Sequence, residues 1–430
     1  MTGNSLDAVD VVLTEFAPHV IKDIASHTVA YPEALRQNLL RLRAELQSNP
    51  QILPEYAGHS FFVETVNSYT HLVAETVNEL LQISGVDKHE IAAIGFHGQT
   101  CGHFPPSIAD GRPPYTLQVG NANLLADETG LPVIYDFRSD DLINGGEGAP
   151  LAPVHNAHLS EKLKSDGIFP VAFCNGGNTG NIALITSGHD SKTVVTGWDV
   201  GPFNHLADLI MREKFNLPFD PDGQYASRGI IRLELLADLF SQAALNAVGK
   251  NFYEVKPPKS SDPAWYRLPD ISSYSIEDVL RTVEYLSVYG FYHTLGHIPP
   301  ELKMPKHFLV FGGGWKNPLM MENFKLLLQG KAPVLSEHKE LFSSLQNRLG
   351  TQCEVCWSDK YGLNGTYMEA RLIADLAYCR INRMPFTYPE TTGCHTPTVC
   401  GIWCYPASPQ QPLYNRAAPG WQKTVEKKPL

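Results

Sequence analysis

Apolar residues recur along this chain with two alternating periods, and the changes of period mark its elements. Residues 8–16, valine-rich and bounded by polar positions, predict a strand. Leu35, Leu39, Leu42 and Leu46 share one face at helical spacing, and so do Val66, Leu72, Val73, Val77, Leu80 and Leu81, which predicts two helices. Residues 91–96 form a short apolar strand running into His97-Gly98-Gln99-Thr100. Residues 102–114, with four prolines and two glycines, read as a loop, and further strand and loop signals continue to Leu151.

A second series begins near Ile168. Residues 169–174 predict a strand, 175–180 a tight turn and 181–186 the returning strand. An apolar strand over 193–198 enters the turn Gly197-Trp198-Asp199-Val200-Gly201-Pro202-Phe203-Asn204, where Asn204 caps a helix carrying Leu206, Leu209 and Ile210. Helices are expected over 232–247 and 276–294, and a strand at 307–311 leads into Gly312-Gly313-Gly314 and a helix over 317–328. The last helix is expected over 365–378, and 405–430, rich in Pro, Gln and Lys, reads as a mobile or loosely docked tail.

At 430 residues the chain exceeds what one core sustains. The expected division is an N-terminal lobe over 1–167, a C-terminal lobe over 168–385 and a terminal segment over 386–430. A weak repeat supports two lobes: Gly3-Asn4-Ser5 before the strand at 8–13 resembles Gly177-Asn178-Thr179 before the strand at 181–186. A full apolar strand precedes the turn in the second copy only, so the N-terminal sheet is expected either to lack its leading strand, through truncation, or to fill that place with another segment.

A formal charge of −11 with scattered Lys and Arg argues against nucleic acid as a partner. No run of 18 apolar residues predicts a membrane span, and the first residues lack the basic and apolar regions of a signal peptide. The eight cysteines show no disulfide framework, and Cys353-Glu-Val-Cys356 has no second CxxC and sits in a strand pattern, so buried thiols are expected rather than zinc. A cytoplasmic location follows as an expectation.

Glycine-rich turns near Gly3, at 175–180 and at 312–314 flank apolar strands, a layout that lets backbone N–H groups approach phosphate oxygens. No G-x-x-x-x-G-K-[ST] is present, so a P-loop is not supported. Asp199, tethered by its turn next to a helix start, suits a general base acting beside phosphate. An Asp there also shapes the turn, and the segment alone leaves both readings open.

The order of motifs along the chain resembles that of the anhydro-N-acetylmuramic acid kinases, with levoglucosan kinase a more distant relative. The resemblance rests on Gly3-Asn4-Ser5-Leu6-Asp7-Ala8-Val9-Asp10 (family GTSxDGxD), Phe96 to Thr100, Leu117-Gln118-Val119-Gly120-Asn121-Ala122 and Asp136-Phe137-Arg138-Ser139-Asp140-Asp141. It continues through Gly145-Gly146-Glu147-Gly148-Ala149-Pro150-Leu151 (family GGQGAPL), Asp199 to Asn204 (family DTGPGN), Asp220-Pro221-Asp222-Gly223, Pro257-Pro258-Lys259-Ser260, Gly312-Gly313-Gly314 and Glu369-Ala370. It implies an α/β chain with the two-lobed actin-like, ribonuclease H-like duplicated sugar-kinase fold, ATP in the interlobe cleft, and a homodimer. The implied reaction is ATP- and Mg²⁺-dependent: hydrolytic opening of the 1,6-anhydro ring of anhydro-N-acetylmuramic acid with phosphorylation of O6.

By position, Asp199 is then the base, and Asp7 and Glu369 hold Mg²⁺. Gly3, Asn4, Ser5, Asp7, Gly177, Asn178, Gly201, Gly312 and Gly313 meet the nucleotide. His97, Gln99, Thr100, Asn121, Arg138, Asp140 and Glu147 meet the sugar. Departures from the pattern are Asn4 for Thr, Ala8 for Gly, Glu147 for Gln, Val200 for Thr and Phe203 for Gly, with Asn175 to Asn181 departing from NIGGIAN. Phe203 puts bulk beside the base, and Glu147 brings charge near an acidic sugar. These leave two other readings, a kinase for a different small sugar and a catalytically weak sugar-binding relative.

Overall fold

A computed structural model describes residues 1–419 except 4, 5, 7, 18, 19, 109–111, 189–191, 247 and 351, and all but the side chain of residue 162. The described strands are β1 (Ala8–Ala17), β2 (Val20–Ala30), β3 (Ile94–Phe96), β4 (Gln99–Phe104), β5 (Tyr115–Val119), β6 (Val133–Tyr135), β7 (Val171–Gly176), β8 (Thr179–Ser187), β9 (Thr193–Pro202), β10 (His307–Phe311), β11 (Glu354–Trp357) and β12 (Ile402–Cys404). They alternate with helices in two compact units, the first comprising 1–107, 111–155 and 367–430, the second 108–110 and 156–366.

The second unit is built on one five-stranded sheet of order β11-β10-β7-β8-β9. β7, β8 and β9 run antiparallel in succession, and β10 and β11 add in parallel on the other side of β7. This is the ribonuclease H-like arrangement expected of an actin-like sugar-kinase lobe. The helix Ile276–Thr294 is buried at every position from 282 to 294, as its nearly continuous apolar and aromatic composition requires.

In the first unit, the hairpin β1-β2 and the sheet β12-β6-β3 are separate, whereas β7 bridges the corresponding parts of the second unit. β1 pairs with β2 along its length, and beside it Thr2 bridges Val9 and Met1 N donates to Asp10 O at 2.7 Å. The core here joins Val9 and Val11 of β1 to Leu35 and Leu39 of the helix Glu33–Ser48, Tyr69, Val73 and Val77 of the helix Ser60–Ser84, and Val133 and Tyr135 of β6.

Four expectations are corrected. β2 is a full strand that the apolar pattern missed, because none of its residues is fully buried and its inner face carries polar groups. The loop after Thr100 starts later, since β4 continues to Phe104 through pairing with β5. The helix expected over 232–247 ends at Gln242. Residues 405–419 are docked: Asn415 Oδ1 accepts from Gln118 N at 2.7 Å, and Asn415 Nδ2 donates to Thr116 O at 3.0 Å. All eight cysteines are free thiols, and no described helix is long and apolar enough to cross a membrane.

Candidate active site

Asp199 lies within β9 and not in the turn after it, which corrects the sequence reading. It sits at a bulge, where the β8–β9 register shifts between Gly180 and Asn181. An extra residue bends a strand locally and re-aims its side chain. The half-buried carboxylate is then held by the Pro257-Pro258-Lys259-Ser260 segment. Three donors converge on Asp199 Oδ2: Ser261 N at 2.8 Å, Ser260 Oγ at 3.2 Å and Ser261 Oγ at 3.4 Å. Asp199 N donates to Lys259 O at 3.1 Å, so backbone and side chain are clamped by adjacent residues.

The clamp is itself braced. Ser261 Oγ is 2.6 Å from the Tyr266 hydroxyl, which lies 3.0 Å from Thr179 Oγ1 at the start of β8. Lys259 is fully buried, with Nζ donating to Phe252 O at 3.0 Å and Tyr253 O at 3.4 Å. Burial lowers its pKa to about 7, against the opposing pull of the Asp199 and Glu254 charges. Sequence reasoning placed Lys259 and Ser260 in a motif but assigned them no role and missed Ser261 and Tyr266. The signal available was two serines in the run Pro257-Pro258-Lys259-Ser260-Ser261.

The glycine turns of the second unit lie around this strand. Gly177 and Asn178 connect β7 to β8, and their carbonyls accept from Asn204 N (3.1 Å) and Phe203 N (3.0 Å). Asn204 occupies the N-cap of the helix His205–Ile210 without a side-chain cap bond, contrary to expectation. Gly312 has φ +94°, and a Cβ there would come within 2.8 Å of Gly176 O, so the strand-to-helix turn needs glycine. Gly312 is partly exposed and Gly313 exposed. Gly201 pairs with Gly180 across the sheet, its Cα facing the Tyr253 ring.

Phe203, the departure that seemed to crowd the base, points into the core at 1 % exposure. Its ring contacts Phe291 edge-on at 5.4 Å and Trp315 at 4.9 Å, and it fills space left by Gly176 and Gly314, where a Cβ would come within 2.6 Å of it. Val200 is likewise buried.

In the first unit, the structure joins His97 to Arg138. Arg138 Nε donates to His97 Nε2 at 3.0 Å and Arg138 Nη1 to Gly148 O at 2.8 Å, while His97 Nδ1 donates to Gly98 O at 2.9 Å. Burial first, and the Arg138 charge second, hold the His97 pKa well below the ordinary histidine value, so the ring is neutral. Gln99 Nε2 donates to Gly3 O at 3.3 Å, and its buried Oε1 has no hydrogen-bond partner among the described residues. Thr100 Oγ1 accepts from Gln118 Nε2 at 3.4 Å.

The remaining sugar-site candidates are engaged in the scaffold. Asn121 caps the helix Ala122–Thr129, its Oδ1 accepting from Leu124 N at 3.0 Å, and its Nδ2 donates to Asn67 at 2.8 Å. Asp140 Oδ2 accepts from Gly401 N at 3.0 Å and Arg416 Nη2 at 2.8 Å. Glu147 binds Ser107 twice, to N at 3.1 Å and Oγ at 2.6 Å, which occupies both carboxylate oxygens. Arg416 also pairs with the buried Asp136 at 2.7 Å, and sequence reasoning missed it because it lies in the segment read as a tail.

Asn4, Ser5 and Asp7 lie outside the described residues. Glu369 is exposed in the first turn of the helix Met368–Ile381, and its charge acts on the buried Met1 amine. Burial lowers that amine's pKa to about 6, against the opposing pull of the Asp10 and Glu369 charges. Carboxylates at 7 and 369 are donors of the hard-oxygen type that Mg²⁺ takes.

The sequence pattern of the family described as "Anhydro-N-acetylmuramic acid kinase" matches residues 1–340 and 336–406. The anhydro-N-acetylmuramic acid kinase of Brucella canis is 30 % identical over 403 residues, covering 94 % of this chain and 96 % of that protein. That of Haemophilus influenzae is 31 % identical over 412 residues, covering 91 % and 93 %. Among solved structures, gluconate kinase from Lactobacillus acidophilus aligns over 71 % of this chain and 60 % of its own, at 12 % identity and a TM-score of 0.28.

Proposed function

This chain belongs to the anhydro-N-acetylmuramic acid kinase family, and from that premise we propose that it opens the 1,6-anhydro ring of anhydro-N-acetylmuramic acid and phosphorylates O6 at the expense of ATP. The products are N-acetylmuramic acid 6-phosphate and ADP, and the setting is cytoplasmic recycling of cell-wall fragments. Water is the second reactant. Asp199 accepts its proton as the oxygen attacks the anomeric carbon, the C1–O6 bond breaks, and O6 takes the γ-phosphoryl group.

The observation carrying this reading is the convergence of three donors on Asp199 Oδ2 at a strand bulge. A base that must meet one water in one orientation needs a fixed carboxylate, and a residue kept only to shape a turn does not. In the same unit, Gly177, Asn178, Gly201, Gly312 and Gly313 are assigned to the nucleotide. In the first unit, the neutral His97, Arg138, Gln99, whose Oε1 has no partner among the described residues, and Thr100 are assigned to the sugar hydroxyls. Asn121, Asp140 and Glu147 are assigned to supporting that surface, given the bonds they already make. Asp7 and Glu369 would hold Mg²⁺, which when bound neutralises phosphate charge.

An ADP-release assay with anhydro-N-acetylmuramic acid, levoglucosan and ordinary hexoses tests this. Turnover is expected on the first, and Asp199→Asn should lower kcat by about 10²–10⁴-fold. No turnover on the anhydro-sugar, or an Asp199→Asn enzyme within tenfold of wild type, would sink the proposal.

A further inference from the structure

Behind the Asp199 clamp, three ligand-type side chains from distant parts of the second unit converge. Glu254 ends the short turn Phe252–Glu254, His293 lies near the end of the helix Ile276–Thr294, and His338 precedes the helix Lys339–Leu349. One ligand atom from each falls within 4.8 Å of the other two. Glu254 Oε1 is 3.4 Å from His293 Nε2 and 4.0 Å from His338 Nε2. Both separations exceed an ordinary N–H···O bond of about 2.7–3.2 Å. They lie nearer the roughly 3.3 Å edge of a tetrahedron drawn with Zn–N lengths of about 2.0–2.1 Å.

The surroundings suit a metal. His338 Nδ1 is 2.8 Å from the Tyr289 hydroxyl, a second-sphere bond of the kind that orients a ligating imidazole. Tyr289 oxygen also accepts from Leu335 N at 3.2 Å, and its remaining lone pair can accept a His338 Nδ1–H, leaving Nε2 as the ligand atom. Both imidazoles are buried against Phe240, at centroid distances of 4.8 and 4.6 Å, while Glu254 is exposed. Two imidazoles fixed in an aromatic wall, with one carboxylate facing solvent, make a three-ligand site whose fourth position opens to water.

We propose that Glu254, His293 and His338 form a zinc site that pins the 252–261 segment from behind. That segment carries the Phe252 and Tyr253 carbonyls that hold Lys259, and the Ser260 and Ser261 donors that hold Asp199. Zinc bound at Glu254 therefore stiffens the clamp without touching the reacting groups. The site stands on its own geometry and does not depend on the identity of the sugar.

The test uses the full chain, stripped with chelator and titrated with Zn²⁺ against a chromophoric competitor, with Co²⁺ as a spectroscopic substitute. One equivalent should bind, with the visible bands of nitrogen- and oxygen-ligated Co²⁺ and without thiolate charge transfer. Glu254→Gln, at an exposed position, and His338→Gln should each weaken binding at least tenfold, with circular dichroism checking that they fold. Cys353→Ser/Cys356→Ser should bind as wild type does. No binding, binding kept in both Glu254→Gln and His338→Gln, or binding lost in the cysteine variant would each overturn the site.

Discussion

Phe203→Ala separates a structural role for the departure near Asp199 from a functional one. Phe203 is 1 % exposed and makes two aromatic contacts, edge-on to Phe291 and tilted against Trp315. Truncating a buried Phe to Ala costs about 3–5 kcal/mol. The two ring contacts, each worth about 0.5–1.5 kcal/mol beyond area burial, place this site in the upper half of that range, about 4–5 kcal/mol. The backbone at Gly176, at the end of β7, and at Gly314, in the turn after β10, lines the ring and limits collapse. Urea unfolding followed by tryptophan fluorescence, which Trp315 reports directly, should show the midpoint lowered with the slope unchanged. The backbone of the turn is anchored independently, since Phe203 N donates to Asn178 O at 3.0 Å and Phe203 O accepts from Ser287 Oγ at 2.6 Å. The folded variant, assayed in the cold, should therefore keep kcat/KM within about threefold of wild type, under about 0.7 kcal/mol of transition-state stabilisation. A stability loss below about 1.5 kcal/mol, or a large kcat change in a stable variant, would refute a packing role.

Two further expectations follow from buried charge. Glu284, 1 % exposed, has its pKa pushed up to about 8, first by burial and then by the Asp220 charge. The native state then keeps a proton that the unfolded chain releases above about 4.5, so this contribution to stability is full below that pH and lost as pH rises through about 8. Glu284→Gln should flatten the fall in melting temperature between pH 5 and 8; an unchanged slope would show that Glu284 is ionised in the fold. Arg416→Met should destabilise the first unit by about 3 kcal/mol by stranding Asp136, whose side chain is 0 % exposed. Asp136→Asn in the same chain should restore most of the loss in thermal denaturation, and equal losses in the single and double variants would rule out the stranded charge as the cause.

The parts of the candidate site legible in the sequence are those carried by residues close together along the chain. Gly177 and Asn178, the Gly312 turn and Asp199 all lie at ends or bends of apolar strands, where a short motif carries both the conformation and the chemistry. The clamp on Asp199 was only half legible, because Ser261 and Tyr266 are 62 and more residues away and neither residue type announces a partner. On the sugar side, the sequence named candidates but not the bonds they make. Asp140 and Glu147 read as ligands by position, but folding brings Arg416 and Gly401 to one and Ser107 to the other.

What the sequence determined alone is local and periodic: the strand and helix faces of the second unit, its glycine turns, and a motif order shared with one family. Those follow from side-chain period and backbone freedom, which need no knowledge of distant partners. Which faces are covered, and which polar atoms are thereby satisfied, was decided by the tertiary structure. It turned Phe203 into the core, set Asp199 at a bulge under two serines, docked 405–419 through Asn415 and Arg416, and gathered Glu254, His293 and His338. The physical reason is that burial and hydrogen-bond satisfaction are properties of contacts across long loops, and a one-dimensional pattern carries the capacity for such contacts without naming the partner.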